Sequence, residues 1–285
     1  MAVSAPFFTA VAFFALAVSH SYAVVIYEST RYMFDVILFF CGNVLLGAVL
    51  GAFGGLFGIG GGLIAIPVLG MFYGMDQQLA QGTALVMIAP NVLIGFWRYR
   101  QRNSLDLRAA SVLGGSAVLV TYLSAWYATV ISAGTLHFAF NLFMEVLGCY
   151  LLWNVLRRKS LKPARTPLGQ RYLPVVGVVG GAVSGFFGVG GGVIAPPALV
   201  GFFGMTQTAA QGMALALVSP GAVIALFTYA YAGHVDWKIG IALAIGGIFS
   251  VSAGVALAHK LPERRLRLCF SIALIVLAAW LLLRG

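Results

Sequence analysis

The hydrophobic pattern of the chain is a succession of apolar runs separated by short joints rich in glycine, proline or charge. A run of about 20 apolar residues makes a helix long enough to cross a hydrocarbon core of about 30 Å. Runs of this kind predict spanning helices over 34–57, 77–97, 109–127, 136–156, 207–231, 239–259 and 266–283, with a further apolar helix over 6–27. Two other helices are predicted over 63–73 and 193–203. At about 11 residues each, they reach only about halfway through that core. Each follows a glycine cluster that interrupts a longer apolar stretch, 34–57 in one case and 172–187 in the other.

The pattern occurs twice. Residues 51–90 shifted by 130 positions fall on 181–220 with 22 of the 40 positions identical and no gap. Gly58, Gly60, Gly61 and Gly62 meet Gly188, Gly190, Gly191 and Gly192, while Pro67, Gly74, Gln77, Gln81, Gly82 and Pro90 meet identical partners through Pro220. An internal duplication sets the architecture before any single residue is interpreted. The expected organisation is an N-terminal helix over 1–30, a transmembrane repeat over 31–157, a basic cytoplasmic linker over 158–171 and a second repeat over 172–285. No Lys or Arg precedes Arg31, so 6–27 lacks the basic start of a signal peptide and is expected to be a retained helix. Asp76 and Thr206 stand at matched helix starts, as do Asp106 and Asp236, and all four suit an N-cap.

Composition places these helices in a bilayer. With 61% hydrophobic residues, 8% charged and a mean hydropathy of +0.99, the chain has too little polar surface to cover a soluble globule. The net charge of +10 would raise nucleic acid as a partner, but 14 of the 17 basic residues fall in three short clusters between apolar segments. Those clusters are Arg98–Arg108, Arg157–Arg171 and Lys260–Arg267, and they mark cytoplasmic loops. The basicity therefore reports orientation, and no nucleic-acid partner is expected. If the second repeat is inverted relative to the first, only Arg31, Lys238 and Arg284 lie outside, each alone. A parallel arrangement would export the whole 259–267 cluster. The fold expected is thus an all-α polytopic membrane protein of two inverted-topology repeats with broken, re-entrant-like short helices.

A glycine run inside a span exposes backbone groups that lipid cannot satisfy, so it survives only inside protein or beside a wet cavity. Two such breaks related by a repeat mark the expected binding site, with short-helix N-termini presenting N–H groups and positive dipole ends to a small anion. Close helix packing is the alternative use of the same glycines. The substrate-binding candidates are Gly58, Gly60, Gly61, Gly62, Gly188, Gly190, Gly191 and Gly192, joined by Gln81, Gln211, Thr83 and Ser219. Asn91 adds an amide nearby, while Gln77 and Gln207 carry a more structural expectation, because amides in a bilayer need partners. Pro90 and Pro220 release backbone carbonyls at matched points and are expected to bend their helices.

His137, Asn141 and Glu145 stripe one helix face at i, i+4, i+8, and Glu145 is the carboxylate well inside a predicted span, which makes it the proton-coupling candidate. Copy two has Arg267, Ser271 and Ile275 at those positions, so pairing with a neighbouring helix stays open for Glu145. His234 is expected to be a solvated loop residue. Cys41, Cys149 and Cys269 are read as three small buried hydrophobes, since they have no metal-ligand spacing. Trp97, Tyr99, Trp126, Tyr127, Trp153 and Trp237 fit an interfacial aromatic belt. No HExxH, Walker sequence or nucleophile with an obvious base is present, so neither an enzyme, a cofactor nor a metal site is expected.

The paired stretches GLFGIGGGLIAIPVL and GFFGVGGGVIAPPAL, each followed by GM, AQG and a loop ending in Asp, resemble the TauE/SafE sulfite exporter family. The resemblance runs over about 36–283; Gly233 to Trp237 matches the family's loop after the third segment, whereas Asn103 to Leu107 has drifted. It implies a secondary transporter moving sulfite, sulfoacetate or another organosulfonate across the bacterial inner membrane. The residues themselves do not select sulfonate over carboxylate or phosphate. An anion channel and a membrane-embedded enzyme are the readings from other classes. The expected partners are the small anionic substrate and the lipid bilayer, with a homo-oligomer left open.

Overall fold

The computed structural model describes residues 5–103, 105–156, 168–189, 191–260 and 263–284. The regular structure among them is helical: α1 (Ala5–Phe57), α2 (Gly62–Tyr73), α3 (Gln77–Arg102), α4 (Leu107–Val130), α5 (Ala133–Leu156), α6 (Leu173–Phe187), α7 (Ala195–Phe203), α8 (Gln207–Tyr231), α9 (Trp237–Ala258) and α10 (Glu263–Arg284). Helix α1 runs through the joint expected near residue 30, where residues 28–33 contain neither glycine nor proline to stop it. Residues 1–42 form one compact unit and 43–285 another. In the first unit, Tyr32, Phe34, Ile37 and Leu38 turn large apolar side chains outward.

Six helices among the described residues are long and apolar enough to cross a membrane: Thr30–Phe57, Gln77–Arg102, Leu107–Val130, Ala133–Trp153, Gln207–Tyr231 and Trp237–Ala258. The protein is an all-α, polytopic membrane protein. The four predicted caps are all made. The Asp76 side chain accepts from Leu79 N–H, Thr206 from Ala209 N–H, Asp106 from Arg108 N–H, and Asp236 from both Lys238 and Ile239 N–H. Each satisfies backbone donors that the first helical turn leaves orphaned. The linker residues 158–167, with their basic side chains, lie outside the described residues.

Within the second unit, the two copies grip one another by small-residue seams. The end of α1 lies on α9, where a Cβ at Gly47 would stand 2.1 Å from Leu243 O, one at Gly51 2.4 Å from Gly247 Cα, and one at Gly55 2.3 Å from Val251 O. The same seam, 130 residues on, joins α6 to α4 through Gly177 against Leu113 O, Gly181 against Ala117 O and Gly185 against Thr121 O. Between lipid-facing helices the hydrophobic effect supplies little association, so close backbone approach and the dispersion it allows hold such a seam together.

Helices α3 and α8 cross antiparallel. Tyr99, near the end of α3, hydrogen-bonds Gln211, near the start of α8, and Tyr229, near the end of α8, bonds Gln81, near the start of α3. The loop after each copy's third helix seals these crossings. His234 O would lie 1.8 Å from a Cβ at Gly82, and Leu105 packs on Gly212. Both α3 and α8 continue through their internal prolines, Pro90 and Pro220. Gly114 of α4 approaches Ala216 O, the carbonyl that Pro220 cannot serve, and a Cβ there would stand 3.0 Å away.

Two expectations are corrected. Cys41 and Cys149 are exposed rather than buried, because on membrane helices the apolar residues of the outer face point at lipid, and a small apolar thiol is as acceptable there as in the core. The side chain of Cys269 lies outside the described residues. Trp97, Trp126, Tyr127, Trp153 and Trp237 are about half exposed, as a belt requires, but Tyr99 is fully buried and has a polar partner inside the protein.

Candidate functional site

Both breaks are made by glycine geometry. After α1 stops at Phe57, Gly60 and Gly61 take φ of 74° and 89°, the left-handed region that costs other residues about 1–2 kcal/mol. Gly61 O then accepts from Ile64 and Ala65 N–H, and this starts α2 in its new direction. Copy two begins its break at Gly188 (φ 64°), makes a single 3₁₀ turn over Gly191–Val193 and starts α7 only at Ala195. Pro196 explains the later start: had α7 begun as early as α2, Pro196 would sit where an N–H must reach Gly192 O, and it has none. Gly190 lies outside the described residues.

The breaks touch. A Cβ at Gly62 would stand 3.1 Å from Val189 Cα, and one at Gly192 3.1 Å from Gly58 O and 3.2 Å from Ile59 Cα. Ile88 and Val92 of α3 and Val218 of α8 close around them; the Val92 side chain would lie 2.5 Å from a Cβ at Gly60. In this conformation the two crossings are held in van der Waals contact, and a ligand between them requires them to part.

Each break is also covered by the opposite copy's amide. Gly188 rests on the stem of Gln81, with a Cβ 3.1 Å from Gln81 Cβ, and Gly58 rests on Gln211 at 3.0 Å. Tyr229 Oη donates to Gln81 Oε1 at 2.5 Å; Tyr99 Oη bonds Gln211 Oε1 at 3.1 Å and lies 3.3 Å from Gly55 O. The phenylalanines that precede the breaks are capped in the same crossed manner: Phe57 meets Phe270 of α10 at 4.3 Å between centroids, and Phe187 meets Phe140 and Phe143 of α5 at 5.9 and 4.6 Å.

The remaining predicted residues divide. Thr83 is buried and its hydroxyl accepts from Asp236 N–H, which ties the 233–236 loop to α3. Ser219 donates to Leu215 O within its own helix at 2.7 Å. Both are committed to backbone. By contrast, Gln77 Nε2, Gln81 Nε2 and Asn91 Nδ2 are buried donors with no partner, all on α3. A buried amide without an acceptor forfeits a hydrogen bond it would have in water, so such groups call for an explanation. Asn91 lies against Gly247 with both amide atoms unpartnered.

His137 Nδ1 lies 3.2 Å from Gln77 Oε1, so the α5 stripe does reach α3. Asn141 is buried with Oδ1 unpartnered, and Glu145 is half-buried without a hydrogen bond or ion pair among the described residues. His234 is partly exposed in its loop and contributes its carbonyl to packing on Gly82.

The sequence reading missed five contributors. Tyr99 and Tyr229 are 130 apart, and that spacing is a readable signal of a shared role, as is the spacing of Phe57 and Phe187. Gln78 carried no such signal. It is buried at the start of α3 and its Nε2 donates to Ile131 O at 2.8 Å, which closes the C-terminal end of α4.

The model of the family described as "Sulfite exporter TauE/SafE" matches residues 43–281. The chain belongs to that family. It is 24% identical over 264 residues to the probable membrane transporter protein YunE of Bacillus subtilis, covering 85% of this chain and 97% of that one. A probable membrane transporter protein of Xylella fastidiosa is 27% identical over 243 residues (84% and 93%), and one of Methanocaldococcus jannaschii 26% over 260 residues (84% and 94%). The TauE/SafE match starts at Asn43 and takes in both glycine breaks, both glutamines and both tyrosines. This family member is a multi-pass membrane transporter.

Replacing Gly60 with alanine tests the break itself. The φ of 74° and the contact with Val92 predict a loss of about 1–3 kcal/mol and a lower unfolding temperature in detergent. An unchanged melting curve and full transport would show that the backbone at residue 60 is not constrained.

Proposed function

We infer that the protein is a secondary transporter that moves sulfite or an organosulfonate-type small anion across the inner membrane of a bacterium by alternating access. The observation that carries this reading is the convergence of two glycine breaks, one from each copy, beside Gln81, whose buried amide donor has no acceptor. Donors desolvated in advance and held at paired broken helices are suited to an anion that arrives without its water. The family description supplies sulfite as the first ligand to try.

The two copies act as inverted repeats. The antiparallel crossing of α3 and α8 supports this, because matched helices that span a bilayer in opposite senses belong to halves of opposite orientation. Contact between the crossings favours a carrier over an open channel, since the path is closed until the halves move apart. The reading assigns the binding role to Gln81 and Gln211 together with the glycines of both breaks. Thr83 and Ser219 instead hold the surrounding backbone. Glu145 serves as the proton-coupling group, supported by its half-buried place on a spanning helix with no partner among the described residues.

Three measurements check these points. In a thermal-unfolding screen of purified protein against sulfite, sulfate, thiosulfate, sulfoacetate and simple carboxylates, a sulfur oxyanion raises the melting point; at 100-fold over Kd the stabilisation amounts to about 2.7 kcal/mol. Stabilisation by a carboxylate and by no sulfur oxyanion overturns the substrate assignment. In a chain whose native cysteines are replaced, a cysteine at position 234 reacts with an impermeant maleimide from outside and one at 263 only after permeabilisation; labelling of both from the same side rules out inverted repeats. Glu145→Gln abolishes the response of transport to an imposed pH gradient, and undiminished pH-driven transport in this variant removes Glu145 from coupling.

A further inference from the structure

We propose that Gln81 and Gln77 form a two-rung ladder of amide donors for the transported anion, and that Tyr229 and His137 are positioning residues that hold each carboxamide with its N–H₂ side free. This rests on the anion-transport reading above and names the groups that would recognise the anion. The two glutamines are one helical turn apart on one face of α3, which puts successive rungs about 5–6 Å apart. Both are buried, both have Nε2 without a partner, and in both the oxygen is engaged by an aromatic side chain from another helix.

The orientation follows from bond length. A carboxamide can turn over and offer either its oxygen or its nitrogen to a neighbour. The separation of 2.5 Å between Tyr229 Oη and the Gln81 side chain suits an O–H···O bond and is too short for N–H···O, so the hydroxyl donates to Oε1 and the amide nitrogen is turned away. Tyr229 is itself fully buried, and its proton would lose its acceptor if the amide turned over. His137 Nδ1 lies 3.2 Å from Gln77 Oε1, and in the tautomer that carries its proton on Nδ1 it holds that amide in the same sense. An anion approaching along α3 therefore meets donors rather than carbonyl oxygens. Gln81 lies against Gly188, so the inner rung ends at the break contributed by copy two. Copy two has Arg267 in place of His137, so the outer rung is particular to copy one.

The test uses the full chain, with sulfite and sulfoacetate as probes, and reads both probe-induced thermal stabilisation in detergent and uptake kinetics in proteoliposomes. Gln81→Glu retains an oxygen for the Tyr229 hydroxyl but removes the amide N–H₂ donors, and it is expected to weaken binding by about tenfold or more. Gln77→Leu weakens it by a smaller factor. Tyr229→Phe and His137→Phe raise KM severalfold while Vmax holds, because the donors remain but are no longer turned toward the anion. A tyrosine that is merely structural would lower the ligand-free melting point and Vmax and leave KM alone. Wild-type affinity in Gln81→Glu overturns the ladder while anion transport stands. An unchanged KM in Tyr229→Phe overturns the positioning role. If folded wild-type protein is neither stabilised by nor transports either probe, the ladder and the transport reading on which it rests both fall.

Discussion

Hydrocarbon offers no hydrogen bonds, and that constraint governs the whole molecule. A helix can cross a bilayer because it satisfies its own backbone, and a broken helix can do so only if protein covers the break. Each break here is covered by the other copy: Gln211 and Phe270 lie over the first, Gln81 and Phe140 over the second, and the two breaks press on each other at Gly62 and Gly192. Neither copy could stand alone with its glycines facing lipid. The duplication is therefore a structural necessity as much as a relic of ancestry.

That mutual cover is reinforced by seams of small residues. The seams between α1 and α9 and between α6 and α4 are made of glycine and alanine against backbone, with few long side chains to interlock. Such surfaces have shallow relief, and sliding them breaks few specific contacts. Polar links between the copies among the described residues include the two tyrosine–glutamine bonds beside the breaks, the hold of Thr83 on the 233–236 loop, the link between Thr208 and Asn103, and the bonds of Thr121 to Gly181 O and of Arg98 to Ser252. Any rocking of one half against the other strains these bonds.

Much of this was legible in the chain. Periodicity located the helices to within a few residues, since runs of apolar residues and capping side chains are local signals; Asp76, Thr206, Asp106 and Asp236 cap as their positions implied. The one merged boundary, in α1, lies where no breaker residue separates the two apolar runs. Candidate chemistry was less legible. Ser219 bonds back to Leu215 O in its own helix, a local option for any helical serine, whereas the Thr83 hydroxyl is taken by Asp236 N–H from a loop 153 positions away that sequence proximity does not reveal. Tyr99 looked like an interfacial aromatic because it sits near a helix end, and only the crossing with α8 buries it.

The sequence by itself determined that the protein lives in a membrane, that it is built twice from one plan, and that each copy breaks a helix at the same place. All three follow from composition and spacing, which need no knowledge of what touches what. The tertiary structure decided that the breaks meet each other as well as their own copy's third helix, that each rests on the opposite copy's glutamine, and that the Gln81 amide keeps its nitrogen side free. The contacts between the copies join residues more than a hundred positions apart. They are set by how helices cross, and no local pattern in the chain encodes the crossing.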